Sequence, residues 1–487
     1  MSGLIRLAIV TCLLAVPVGA GHAQELDAAR LAGIVEHGHR HAGDEIVLER
    51  GFGRTAADGA AVDTHTLFAN ASTTKAMIVA GLLVLADEGH LDLDDLVIDY
   101  IPELHFASEV LTQQVRIRDL LAHRTGLPST DFWTFRQLTP LAEQVRRLRL
   151  VDAESAPRSR LIYQNTMYEL AGLIIERVSG QRWDEFLRRR LWQPIGMHET
   201  YGTRGDIPPN RVHVRPHAEV AGHIRDIPWD LPADRADAAG SVWSSIHDMA
   251  KWARFLLAGG VTGDGTRLIS QAGIEAMFEP QQLASPDDFY PTVALTAPHW
   301  RSYGLGWFQQ DFQGRKIDFH TGSLDGLHAI IGLDRGKDRA VIVMANLDGS
   351  ELRHALLWEV MDRENGARRR DWLRDVYDLY AARAADRSAE WAATVEARLA
   401  DTTPSLPLDA YLGSYDNAVL GSIEFERRDG KLELRTGMYR YEVSHWHLDT
   451  FLVDYLTWPH GVFMSFSIDG EGKVSAMNVF DGEFLRQ

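Results

Sequence analysis

Cysteine is almost missing: Cys12 is the only one in 487 residues. Its neighbours, Val10-Thr11 and Leu13-Leu14, fit a lipid-attachment site poorly. Disulfides within the chain and multi-thiolate metal sites are therefore excluded, and the chain must hold itself together by its core. Lysine is scarce too, occurring only at positions 75, 251, 316, 337, 431 and 473. The formal net charge is −18, so the positive surface that nucleic acid or an anionic membrane requires is lacking. No internal repeat, low-complexity tract or phosphate-cradling glycine loop is found. The apolar stretch Leu7 to Val18 is short for a membrane span. With Arg6 before it and Gly21-His22-Ala23 after it, residues 1–23 read as a cleavable export signal. That predicts a periplasmic or secreted protein, with no membrane role beyond export.

What remains is long enough for two or more folding units. Periodicity predicts helices over Asp27 to Glu36, Met77 to Ala86, Val115 to Ala122, Tyr168 to Val178, Trp183 to Leu191 and Ala239 to Leu257. Strands are expected at Ile46 to Leu48, at Ile317 to Phe319, and at Ala329 to Leu333 and Ala340 to Ala345 around the turn Asp334-Arg335-Gly336. Strands at both ends with helices between imply an α/β unit over residues 25–365. The Ala-, Arg- and acid-rich stretch from Asp371 to Leu399 predicts a helical connector, bounded as 366–404. Beyond Pro404 and Pro407 the pattern turns to short alternating strands with Asp429-Gly430 and Asp469-Gly470 turns, so 405–487 reads as a small antiparallel barrel or sandwich.

Three groups carry chemistry. Ser72-Thr73-Thr74-Lys75 opens an apolar helix, placing Lys75 one turn from Ser72 on the same face. A serine hydroxyl is a poor nucleophile until a base removes its proton, and a lysine pushed toward neutrality by burial can serve. The helix start adds free N–H groups and positive dipole, which favour a developing anion. Tyr163-Gln164-Asn165 is either a half-buried aromatic followed by a helix cap, or a proton-relaying phenol with an amide that binds a substrate carbonyl. His320-Thr321-Gly322 is either a strand running into a turn, or a wall where glycine lets a substrate backbone approach.

Their joint occurrence, order and spacing resemble the serine β-lactamase and penicillin-binding protein superfamily of class C type, which carries Ser-x-x-Lys. Leu120 to Pro128, Ala238-Ala239-Gly240-Ser241 and Tyr303-Gly304-Leu305-Gly306-Trp307 resemble it as well. The resemblance covers about residues 25 to 360, and the tail looks like the lipocalin-like domain that follows some peptidases of this family. It implies an antiparallel sheet flanked by helices, a further helical region, and no cofactor or metal. It also implies roles: Ser72 as nucleophile, Lys75 as base, Tyr163 as proton carrier, Asn165, His320, Thr321 and Gly322 as substrate-binding residues, and the backbone N–H groups of Ser72 and Ser323 as oxyanion hole. β-Lactamases of this type usually begin the third group with lysine, whose charge favours the drug's carboxylate. Histidine there is more like the peptidase and esterase branches, which include D-aminopeptidases and DD-carboxypeptidases.

The expectation is an exported serine peptidase or amidase working through an acyl-enzyme on peptide or other small acyl substrates, including those with D-residues. An esterase or β-lactamase of the same fold is one alternative. A penicillin or peptidoglycan-fragment sensor with little turnover is another. The C-terminal domain offers a route to a homo-oligomer. His37, His39 and His41, and the pair His445 and His447, lack partners at metal-ligand spacing. The basic runs Arg146-Arg147-Leu148-Arg149 and Arg188-Arg189-Arg190 read as solvated helix faces.

Overall fold

The computed structural model describes residues 6–9, 48–133, 137, 139–220, 223–228, 237–349, 351–363, 370–437, 439–455 and 460–487. The expected helix at Asp27 to Glu36, the strand residues Ile46 and Val47, Cys12 and the three early histidines lie outside them. The chain divides into two compact units. One comprises residues 1–104, 108–129 and 153–380; the other comprises 105–107, 130–152 and 381–487. The division falls inside a single 25-residue helix, Trp372–Glu396, which lies within the residues 366–404 read as a helical connector.

The first unit is built on a seven-stranded sheet ordered Arg6–Ile9, Arg339–Ala345, Leu327–Asp334, Arg315–Leu324, Phe308–Phe312, Arg301–Tyr303 and Gln282–Leu283. Every pairing is antiparallel except the first, where Arg6–Ile9 runs parallel to Arg339–Ile342. Phe319, Ile330, Val341, Val343, Leu356, Leu357 and Trp358 share one core. Gly332 admits the helix Leu352–Asp362, since a Cβ there would lie 2.3 Å from Leu357 Cδ1. Arg315–Leu324 pairs with Phe308–Phe312 only as far as Phe319, although its other edge stays paired to Leu324.

The helix Lys75–Asp87 is buried from Lys75 through Leu85, so it is a central helix with no solvent face. It packs against Thr166–Ser179, which Gly180 ends in the left-handed conformation that glycine adopts freely. The helix expected from Ala239 starts later. Trp243–Ser245 is a strand paired with Leu67–Ala69 and Thr200–Tyr201, and the Ser245 side chain caps Ile246–Leu257 by accepting the Asp248 N–H.

The second unit is a closed barrel of eight antiparallel strands: Gly413–Asn417, Gly421–Arg428, Lys431–Thr436, Tyr439–His447, Thr450–Asp454, Val462–Ile468, Val474–Val479 and Gly482–Arg486. Pairing of Tyr415 with Arg486 closes it, removing free edges. Asp429 and Gly430 both have positive φ, the backbone of a tight two-residue hairpin. Phe425, Phe451 and Phe466 meet inside, at centroid distances of 5.5 to 5.7 Å. Residues 130–152 belong to this unit as well: Trp133 is fully buried, and its indole N–H donates to the Val419 carbonyl at 2.8 Å.

Candidate active site

Ser72 lies in a 3₁₀ turn, Ala71–Thr74, that runs directly into the helix beginning at Lys75. In a 3₁₀ turn, side chains three apart eclipse one another. Lys75 Nζ accordingly sits 3.1 Å from Ser72 Oγ. Ala71 enters the turn with φ +46, a left-handed conformation that costs a non-glycine residue about 1–3 kcal/mol. The turn is braced from behind, as the Thr73 hydroxyl and backbone N–H both donate to the Asn70 carbonyl, at 2.9 and 3.1 Å.

Lys75 is fully buried, yet its Nζ has further partners: Asn165 Oδ1 at 2.7 Å and the Ala239 carbonyl at 2.8 Å. Both can only accept. An ammonium at Nζ directs three N–H groups at these two oxygens and at Ser72 Oγ. A neutral amine keeps the two N–H donors on Asn165 and Ala239 and turns its lone pair to Ser72 Oγ. One fixed tripod thus accommodates both protonation states, and only the longest of its three contacts reverses direction. The rings of Tyr163 and Tyr168 lie 5.0 and 5.3 Å from Nζ, within cation–π range.

Asn165 stands at the N-cap position of Thr166–Ser179, but its side chain caps nothing there. Its amide oxygen accepts from Lys75 Nζ at 2.7 Å. Tyr163 is half-buried, packed 4.2 Å from the His123 ring and 6.1 Å from that of His320. His123 Nδ1 accepts the Gln164 N–H at 3.1 Å, which ties the Tyr163–Asn165 segment to the stretch Leu120 to Pro128.

His320 is 1 % exposed, so its ring does not form a wall against a ligand. Its Nδ1 lies 2.6 Å from the Thr321 carbonyl, which fixes the proton on Nδ1, and its Nε2 accepts the Tyr303 hydroxyl at 2.9 Å. Burial, followed by the charge of Lys75, lowers its pKa to about 3. The imidazole is neutral at physiological pH and offers no fixed charge to a carboxylate. Thr321 is buried as well, its hydroxyl 2.7 Å from that of Tyr290, so any contact with a substrate falls to the backbone. Gly322 presses on the Ser72 turn: a Cβ there would lie 2.1 Å from the Asn70 carbonyl oxygen and 3.0 Å from Ser72 N. The next residue, Ser323, is exposed at the rim.

The site therefore brings Ser72, Lys75, Tyr163 and Asn165 together, and brings the Gly322 backbone against Ser72. Sequence reasoning missed the Ala239 carbonyl, His123 and Tyr303 as parts of this arrangement. Their stretches drew notice by resemblance alone, since a backbone carbonyl or a buried ring contributes nothing that residue type reveals. Gly306, in the last of those stretches, has φ +78 and lets the loop pass close to Ala76, where a Cβ would lie 3.2 Å from Ala76 Cα.

Comparison with known proteins agrees with this architecture. Residues 397–486 match a domain of unknown function, DUF3471. An unguisins hydrolase of Aspergillus violaceofuscus is 28% identical over 440 residues, covering 82% of this chain and 75% of that protein. Penicillin-binding protein 4 of Amycolatopsis lactamdurans is 30% identical over 303 residues, covering 62% and 76%. The octameric penicillin-binding protein homologue from Pyrococcus abyssi superimposes with a TM-score of 0.60 at 19% identity, over 96% of this chain and 100% of that one, a likeness of fold. Residues 41–364 match the beta-lactamase family model, and the chain belongs to that family.

Proposed function

We propose that this protein is an exported serine hydrolase that cleaves peptide or amide bonds through an acyl-enzyme on Ser72. The observation that carries the reading is the Lys75 tripod, which holds a buried amine against the serine hydroxyl in either protonation state. Ser72 Oγ attacks the substrate carbonyl carbon while its proton passes to Lys75 Nζ. The carbonyl π electrons move to oxygen, and that oxyanion is met by the N–H groups of Ser72 and Ser323. Collapse of the tetrahedral adduct expels the amine, which takes a proton by way of Tyr163. Water then repeats the sequence on the ester and releases the acid. A positioned proton carrier contributes about 10² to 10⁴ in rate, and one oxyanion donor about 10² to 10³.

Neutral His320 supports peptides and amides ahead of β-lactams, whose carboxylate a charged residue would favour. The similarity to an unguisins hydrolase supports hydrolysis as the reaction class. Export rests on the order of basic, apolar and small residues within 1–23, and cleavage there would remove the edge strand Arg6–Ile9 from the seven-stranded sheet. Incubation with a mixed library of L- and D-residue peptides, read by mass spectrometry, tests the proposal. Cleavage by the wild type that disappears in Ser72→Ala is the expected result. Cleavage that persists in a folded Ser72→Ala variant refutes it.

A further inference from the structure

Arg353 lies in the first turn of the helix Leu352–Asp362, outside every motif, and is 5 % exposed. Its Nη1 donates to the Gly322 carbonyl at 2.6 Å, to Ser323 Oγ at 3.0 Å and to the Ala329 carbonyl at 3.2 Å. Glu351 holds the other side of the guanidinium, with Oε2 3.3 Å from Nε. The Gly322 carbonyl and the Ser323 N–H are the two ends of one planar trans peptide, so they point in opposite directions. The N–H end belongs to the residue that follows Gly322, and a Cβ at Gly322 would lie 3.0 Å from Ser72 N.

We infer that Arg353 is a positioning residue for the oxyanion hole: its guanidinium grips the carbonyl end of the 322–323 peptide, and so orients and polarises the Ser323 N–H at the other end. This rests on the proposed serine mechanism and adds to it a residue that touches neither Ser72 nor substrate. The physical basis is twofold. A hydrogen bond from a cation is about twice as strong as a neutral one, and within a low-dielectric interior a bond to one end of a peptide strengthens the donor at the other. Ser323 Oγ is held by the same Nη1, and lies 3.4 Å from His328 Nδ1, so the peptide is tethered by its side chain as well as its carbonyl. His328 is in turn fixed by Asp348 at 3.0 Å. The peptide is thus anchored at both its carbonyl and the Ser323 side chain.

Acylation by p-nitrophenyl acetate, corrected by Ser72→Ala, and inhibition by phenylboronic acid, which forms an anionic tetrahedral adduct on the serine, provide the test. Arg353→Met should slow acylation about tenfold, a part of the 10² to 10³ that one donor supplies. It should weaken boronic acid inhibition by the same factor, because both report the tetrahedral anion. Arg353→Lys keeps the charge and should recover part of both losses; if Arg353→Met fails to fold, a proportional loss of both in Arg353→Lys is the expected result. A folded variant with both quantities within twofold of wild type overturns the inference. So does slower acylation with unchanged inhibition, which would mark a general structural role. A wild type that acquires no acetyl group on Ser72 removes the serine mechanism and this inference together, whereas the other two results remove the inference alone.

Discussion

Gly322→Ala is the sharpest single-atom test of how the site is assembled. The added methyl would lie 2.1 Å from the Asn70 carbonyl oxygen, 2.9 Å from Ala71 Cβ and 3.0 Å from Ser72 N. Close carbon–oxygen contacts in proteins stand at about 3.3 Å, so the strand or the turn must yield by roughly 1 Å. None of the three atoms is the end of a flexible side chain, and the turn is already committed to a left-handed Ala71. Under the proposed mechanism the displacement would pass into the distance between the Ser323 N–H and the reacting oxygen. Oxyanion donors work at about 2.7–3.1 Å, and a misplacement of 1 Å costs about 10²-fold in rate. Overpacking adds about 1–3 kcal/mol of destabilisation. The assay is acylation by an aryl ester, measured beside urea unfolding. A folded Gly322→Ala variant with activity within threefold of wild type would refute the reasoning, since the strand could then not abut the nucleophile as described.

Other consequences are equally open to measurement. Lys75→Ala should lower turnover by about 10⁴-fold, and adding Ser72→Ala should cost little more, because nucleophile and base act as a unit; additive losses in the kinetics of the double variant would contradict this. His320 should show no titration of its ring carbon resonances between about pH 5 and 8, since burial holds its pKa near 3. Because His123, His320 and His354 all have pKa values lowered by burial, the unfolded state binds more protons below about pH 6.5. Stability should therefore fall as pH drops from 6.5 toward 3, seen as a lower urea midpoint; a midpoint that stays constant across that window argues against the buried neutral rings. Trp133→Ala should destabilise the barrel unit by about 3–5 kcal/mol and give an earlier unfolding transition in calorimetry.

The sequence made some of this legible for identifiable reasons. Ser72 and Lys75 are neighbours in one turn, so their proximity follows from local geometry that spacing encodes. The barrel hairpins follow from alternation and from Asp429-Gly430, whose positive φ values only a few residue types accept. Contacts that depend on long-range packing were hidden. The Ala239 carbonyl reaches Lys75 because a backbone segment happens to pass there, and any residue type could supply it. His320 carried a chemical expectation, but which face of its strand turns toward Tyr303 is decided by the sheet. Asn165 occupies a cap position and could be read as a cap, yet a buried amine takes its oxygen. Residues 130–152 join the barrel through Trp133 and Val419, a pairing that no local pattern announces.

The most direct measurement is the mass of the protein during turnover of an aryl ester, followed by peptide mapping of the modified species. The account predicts a covalent acyl group on Ser72 that forms and decays with turnover, and that is absent from Ser72→Ala and Lys75→Ala. Turnover with no adduct on Ser72, or an adduct on another residue that decays at the turnover rate, would contradict it.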